Sequence, residues 1–130
     1  MPFDQSTPIA FLGVGLMGTR MATRLCKAGY KVAVWNRSPE ACVAIIKQGA
    51  NALELEQIGN YPVILMCLAD DAAVQKVFER IQPFLRVDQT VVDFSSLSVS
   101  ATHQLALTAK QQNVTWIDSP VSGGTMGAEQ

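Results

Sequence analysis

The sequence has 130 residues, of which 48% are hydrophobic, and its 10 basic and 11 acidic side chains leave a net charge of −1. This length and composition are typical of one globular domain, with enough apolar residues for one hydrophobic core and too few residues for two. The nearly neutral charge disfavours nonspecific binding to nucleic acid or to acidic membranes, so a bound anion must be held by a local site.

The first half of the chain predicts alternating strands and helices. The first helix carries Met17, Met21 and Leu25 four residues apart, which forms one apolar stripe. Ser38 and Pro39 are typical of an N-cap and a first helical residue, and they predict the start of a second helix. The predicted elements are a strand over residues 9–12, a helix over 16–28, a strand over 31–35, a helix over 39–48, a weak strand over 51–53 and a helical turn over 55–58.

The second half continues this alternation. Residues 63–68 are apolar without a break, as is typical of a strand buried on both faces. Asp70 is placed to cap the following helix, which Pro83 bends or ends. The remaining elements are a strand over 90–94, a helix over 98–111 and a strand over 114–117. The helical stripes are formed by Val74, Val77, Phe78 and Ile81, and by Ala101, Leu105 and Thr108. The pattern predicts an α/β domain whose parallel sheet is covered by helices on both faces.

Residues 13–18 carry the pattern G-x-G-x-x-G where a predicted strand ends and a predicted helix begins. In that context the first glycine permits a tight turn, the second leaves room for a pyrophosphate, and the third lets the helix pack closely on the sheet. The helix N-terminus offers its free N–H groups to the phosphates. The motif predicts a Rossmann-type doubly wound fold that binds a dinucleotide, with a simple glycine-rich turn as the alternative. The predicted cofactor contacts here are Gly13, Gly15, Leu16, Met17 and Gly18.

The end of the second strand is where an NAD site usually carries Asp or Glu for the ribose hydroxyls. This sequence has Asn36, Arg37 and Ser38 there instead. Asn36 is suited to the ribose, the Arg37 guanidinium to a 2′-phosphate or the adenine face, and Ser38 adds a hydroxyl. These residues predict NADP rather than NAD as the cofactor. The alternative is that Arg37 is an ordinary surface arginine.

Three further loops, at residues 68–70, 95–96 and 119–127, follow strands four, five and six at the sheet edge where open α/β sheets bind ligands. Leu68 and Ala69 are placed to line the nicotinamide riboside, and Ser96 to reach the nicotinamide amide or ribose. For Asp70, Ser95 and Ser98, helix capping or turn formation is as good an explanation as ligand binding.

Residues 11–40, 93–106 and 117–129 together resemble the β-hydroxyacid dehydrogenase family, which includes 3-hydroxyisobutyrate dehydrogenase, tartronate semialdehyde reductase and 6-phosphogluconate dehydrogenase. The resemblance implies that residues 13–18 and 36–38 hold the cofactor and that Leu68 and Ser96 contact it. It also implies that the substrate's carboxylate and hydroxyl region is bound by Ser122, Gly123 and Gly124. Glycines expose backbone N–H groups to an anion, and Ser122 adds a hydroxyl donor.

In this family a lysine, followed one helical turn later by an asparagine, serves as the general acid and base, and both match positions beyond Gln130. The five lysines of this chain match no catalytic motif. The resemblance also implies an all-helical second domain that closes the site and forms the dimer. We therefore expect residues 1–130 to be the N-terminal NADP-binding domain of a longer, homo-oligomeric enzyme, with no catalytic residue in this chain and no turnover by it alone.

The leading hypothesis is an oxidoreductase that moves a hydride between NADP and a small 3-hydroxy acid or its semialdehyde. One alternative is a non-catalytic NADP-binding scaffold or sensor, although the chain lacks the basic tract that a chromatin-associated relative would need. Another is an imine reductase, which shares the glycine loop and the Asn-Arg segment. Cys26, Cys42 and Cys67 form no disulfide or metal pattern and predict reduced thiols in the cytoplasm, and no export signal or membrane span is visible.

Overall fold

The structure is a computed structural model that describes residues 5–119, in which strands and helices alternate. The strands are β1 (Ile9–Leu12), β2 (Val32–Trp35), β3 (Asn51–Ala52), β4 (Val63–Met66), β5 (Thr90–Asp93) and β6 (Thr115–Asp118). The α-helices are α1 (Leu16–Lys27), α2 (Val43–Lys47), α3 (Asp71–Ile81) and α4 (Val99–Gln111), and 3-10 turns span Pro39–Cys42, Leu55–Asn60 and Gln82–Phe84. None of the helices in this part of the chain is long and apolar enough to span a membrane.

The six strands form one sheet in the order β3-β2-β1-β4-β5-β6, and every neighbouring pair is parallel. The chain winds outward from β1 to β3 and then returns to β4 on the other side of β1. This is the doubly wound α/β fold that the sequence predicts. The direction of winding reverses between β1 and β4, and the loops that leave these two strands diverge. Such a crevice is where open α/β sheets bind their ligands.

The central strand β1 shows why helices cover both faces of the sheet. All four of its residues are buried, and alternate side chains of a strand point to opposite faces. Ala10 and Leu12 belong to a core cluster with residues of α3 and α4, whereas Ile9 and Phe11 belong to a second cluster with residues of α1 and α2. The unbroken apolar strands are therefore explained by burial on two sides.

Helix α1 is buried most deeply at its smallest residues, and Met21 and Leu25 of the predicted stripe pack against the core beside them. Its buried residues are Gly18 and Ala22, while Met17, Met21 and Leu25 are half-buried. A methyl group on Gly18 would overlap the carbonyl oxygen of Gly13, so the helix lies too close to the loop for a larger residue there. The predicted stripe therefore flanks the line of closest contact, which Gly18 and Ala22 form.

The predicted helix over 39–48 is divided into a 3-10 turn and the five-residue α2. Ser38 is the N-cap residue of this turn and Pro39 lies in its first positions, as predicted, but the Ser38 side chain accepts no capping hydrogen bond. The buried face of α4 is Ala101, Leu105 and Ala109, whereas Thr108 lies off this face and donates its hydroxyl to the carbonyl of Gln104 at 3.0 Å. The stripe Val74, Val77, Phe78 and Ile81 on α3 is buried as predicted.

Candidate functional site

The glycine loop connects β1 to α1 at the carboxyl edge of the sheet. Gly13 has a φ of +96°, a conformation that favours glycine, and a methyl group there would overlap the carbonyl oxygen of Cys67 at the end of β4. Gly13 also donates its N–H to the carbonyl of Trp35 at 2.8 Å. The loop is thus held between the ends of β2 and β4.

Gly15 differs from the other two glycines of the motif, because a methyl group on it would meet no heavy atom within 4 Å. It is the N-cap residue of α1 and supplies no side-chain acceptor, and the first turn of α1 contains no acidic residue. The first N–H groups of a helix have no partner within the helix and carry a partial positive charge. This open, uncapped helix start is suited to bind a phosphate.

Asn36 connects the glycine loop to the loop that follows β2. Its Oδ1 accepts the N–H of Val14 at 3.0 Å, and its Nδ2 donates to the carbonyl of Ser38 at 3.1 Å. The side-chain amide was predicted to contact ribose, but in this structure it holds two loops together across 22 residues of sequence. One N–H of the amide is left for a ligand. The exposed Arg37 follows directly.

A cleft of about 370 Å³ lies between the end of β2 and helix α3. Arg37 and Asn36 line one side of it, and Lys76 and Arg80 of α3 line the other. The Arg80 guanidinium carbon lies 5.7 Å from the centre of the Trp35 ring, which is within the range of a cation–π contact. Lys76 and Arg80 were not predicted from the sequence. The available signal was their spacing of four residues on α3, which places both on one helical face.

The loops after β4 and β5 are joined by hydrogen bonds. Leu68 donates its N–H to Ser95 Oγ at 2.8 Å, and the N–H of Ser95 donates to Asp93 Oδ1 at 3.0 Å. Asp93 is fully buried, and within residues 5–119 no group hydrogen-bonds its Oδ2. Burial raises the pKa of Asp93, which the bonds from Ser95 partly offset. Ser95 is therefore a structural residue that fixes Leu68 beside the cleft.

Asp70 and Ser98, for which capping and ligand binding were equally good explanations, are helix caps in the structure. Asp70 accepts the N–H of Ala73 at 2.9 Å at the start of α3, and Ser98 Oγ accepts the N–H of Ala101 at 3.2 Å at the start of α4. Ser98 also donates through its N–H and hydroxyl to the carboxylate of Asp71, at 2.9 and 2.6 Å. These bonds lower the pKa of Asp71 and tie α3 to α4.

The remaining predicted contacts surround the same crevice. Leu16 begins α1 and is 68% exposed, Met17 is half-buried, and Ala69 and Ser96 are exposed at the ends of the β4 and β5 loops. Leu68 lines the cleft with Arg37. Cys67 directly follows β4, and burial, followed by the charge of Asp93, raises the pKa of its thiol. Three predicted substrate residues lie outside the described part of the chain: Ser122, Gly123 and Gly124.

Comparison with known proteins agrees with this arrangement. A family model for the NAD-binding domain of 6-phosphogluconate dehydrogenase matches residues 8–130. A 2-(hydroxymethyl)glutarate dehydrogenase from Eubacterium barkeri is 33% identical over 131 residues, which cover 97% of this chain and 44% of that enzyme. The chain thus spans less than half the length of this curated relative.

Two solved structures share the fold. The 3-hydroxyisobutyrate dehydrogenase of Mycobacterium tuberculosis, solved with L-serine, has a TM-score of 0.89 and 28% identity, and the match covers 95% of this chain and 43% of that one. A reductive aminase from Aspergillus terreus, solved with NADPH and ethyl levulinate, has a TM-score of 0.80 and 25% identity, with 91% of this chain and 42% of that one covered.

Proposed function

This chain belongs to the family of NAD-binding domains of 6-phosphogluconate dehydrogenase, and we propose that it binds NADP(H) for an oxidoreductase that acts on a small 3-hydroxy acid or its semialdehyde. The observation that carries the proposal is the combination of an open glycine at the start of α1 with Arg37 at the end of β2. The first feature fits a pyrophosphate and the second a 2′-phosphate.

The residues present fit the dinucleotide at both of its phosphate groups. The space above Gly15 is free, while Gly13 and Gly18 are closely packed, so only the second glycine of the motif is open to a ligand. Asn36 holds the glycine loop against the β2 end through Val14, which fixes the distance between the two phosphate-binding elements. Residues 13–18 would bind the pyrophosphate, and Arg37 with Ser38 would bind the adenosine end.

The proposal also includes a preference for NADP over NAD. The residues that line the cleft include Arg37 and contain no Asp or Glu that would repel a 2′-phosphate. The reductive aminase that shares this fold was solved with NADPH, which is consistent with the same preference.

The cofactor, when bound, supplies or accepts the hydride. This chain would orient the nicotinamide through Leu68 and Ala69 after β4 and Ser96 after β5. Ser122, Gly123 and Gly124 would bind the substrate carboxylate, and the proton would be handled by a lysine in a helical domain outside residues 1–130. That domain would also form the dimer. The three free cysteines, all with a pKa raised by burial, suit a reducing compartment such as the cytoplasm.

Arg37→Ala tests the cofactor assignment. The affinity for NADPH should fall by on the order of 1.5 kcal/mol, the lower end of the range for hydrogen bonds to charged groups, because Arg37 is exposed to solvent. The affinity for NADH should change little. Arg86→Ala, an arginine outside the cleft, is the matched control and should bind both cofactors as the wild type does. Equal losses for NADPH and NADH in calorimetric titrations would mean that Arg37 does not bind the 2′-phosphate.

Reduction of an imine is the second candidate, favoured by the similarity to the reductive aminase. The two functions share the cofactor site and differ in the substrate loop, so cofactor binding does not separate them. The two functions can be separated by assaying the enzyme that contains this domain with a panel of semialdehydes and cyclic imines. Faster NADPH oxidation with imines than with semialdehydes would replace the hydroxyacid assignment.

A further inference from the structure

The adenosine end of the cleft carries more positive charge than Arg37 alone provides. Lys76 and Arg80 lie on α3 across the cleft from Arg37, and none of the described residues that line the cleft is acidic. All three cationic side chains are exposed to solvent at the mouth of the cleft. Within residues 5–119, no carboxylate forms an ion pair with any of them.

The placement of Lys76 and Arg80 is unfavourable for the helix by itself. Two like charges four residues apart on one helical face repel each other. Glu79, three residues after Lys76, is not among the residues that line the cleft and instead lines a groove toward α4 with Gln104 and Leu105. The two positive charges therefore converge on the cleft, and a bound anion would offset their repulsion.

Arg80 is also oriented by a second contact. Its guanidinium lies over the Trp35 ring at 5.7 Å, and Trp35 is half-buried against the core. A guanidinium held by an aromatic ring loses less freedom when it binds a ligand than one that moves freely in solvent. Leu68, Ala73 and Val77 give the cleft an apolar floor between the charged walls.

We propose that Lys76 and Arg80 bind the 2′-phosphate together with Arg37, so that the preference for NADP depends on α3 as well as on the loop after β2. This inference rests on the proposed function, since it adds two specificity-determining residues to that site. A phosphate monoester carries nearly two negative charges at neutral pH. Two guanidinium groups and one ammonium group supply three positive charges, enough to neutralise that phosphate, while the apolar floor accommodates the adenine ring.

Calorimetric titrations with adenosine 2′,5′-bisphosphate and adenosine 5′-monophosphate test this proposal, because the two probes differ only in the 2′-phosphate. Lys76→Met and Arg80→Gln should each weaken binding of the bisphosphate by about tenfold, which corresponds to about 1.4 kcal/mol. Binding of the monophosphate should change less than about twofold. Lys110→Met removes the same charge at the opposite edge of the sheet and should leave both affinities unchanged.

The salt dependence provides a second readout. The preference of the wild type for the bisphosphate should fall as ionic strength rises, because exposed charges are screened, and it should fall less steeply in the two variants. If the wild type prefers the bisphosphate and both variants keep that preference, the role of α3 is refuted while the proposed function stands. If the wild type binds neither probe, the proposed function itself fails.

Discussion

Gly15→Val separates the role of the glycine loop in binding from its role in folding. Gly15 has a φ of −67° and a ψ of −161°, an extended conformation that valine also adopts. A β-carbon there meets no heavy atom within 4 Å, so the side chain would occupy the space proposed for the pyrophosphate. The variant should fold but should not bind the cofactor.

The expected change in stability is small because two effects oppose each other. Valine is a poorer N-cap residue than glycine, at a cost of about 0.5–1 kcal/mol. The loss of glycine's freedom in the unfolded chain stabilises the fold by about 0.4–1 kcal/mol. The free energy of unfolding should therefore stay within about 1 kcal/mol of the wild type, and Tm within about 4 °C.

Gly18→Ala is the matched control, since this methyl group would overlap the carbonyl oxygen of Gly13 and lie 3.2 Å from its carbonyl carbon. Overpacking against backbone costs about 1–3 kcal/mol or more, so this variant should lose more stability than Gly15→Val.

Thermal unfolding with and without NADPH measures both the stability of each variant and its stabilisation by the cofactor. At a ligand concentration about 100 times Kd the wild type should gain about 2.7 kcal/mol. Gly15→Val should gain nothing at the same concentration. Full protection of Gly15→Val by NADPH would refute the placement of the pyrophosphate over this residue.

Two predictions concern other parts of the site. Because burial raises the pKa of Asp93, its protonated form contributes stability that is fully present below the ordinary pKa of about 3.9 and is lost as pH rises through the raised pKa. Asp93→Asn keeps the acceptor for Ser95 and removes the titration, so the Tm of the variant minus that of the wild type should increase as pH rises above about 4; a constant difference would contradict the assignment. The 130-residue chain should bind NADPH without oxidising it in the presence of 3-hydroxy acid semialdehydes. The reason is that Lys76 is the one lysine among the described residues that line the cleft, and it lies at the adenosine end. Turnover above the rate without protein would show that residues 1–130 contain a catalytic group.

The sequence predicted the parts of the site that depend on local spacing. The glycine motif predicted a turn, an open residue and a close contact at Gly13, Gly15 and Gly18, because the pattern itself encodes these three backbone requirements. The cap at Asp70 was predictable for the same reason, since its partner Ala73 is three residues away.

Contacts between distant segments could not be predicted. The partner of the Asn36 amide is 22 residues away, and only the folded loop shows that the amide binds Val14. Lys76 and Arg80 are separated from Arg37 by β3 and β4, and only the sheet order places α3 across the cleft from β2. The full burial of Gly18 and Ala22 on α1 was not predicted, because hydrophobicity favours Met21 and Leu25, whereas the close approach of the helix requires small residues.

Binding of NADP(H) in the crevice above β1 and β2 can be measured directly. The dissociation constants of the unmodified chain for NADPH and NADH give this test. Calorimetric titration at low ionic strength should give saturable binding of both, with NADPH bound at least about tenfold more tightly, a difference of about 1.4 kcal/mol. Equal affinity for the two cofactors would contradict the assignment of the 2′-phosphate site. Absence of binding by either cofactor would contradict the account as a whole.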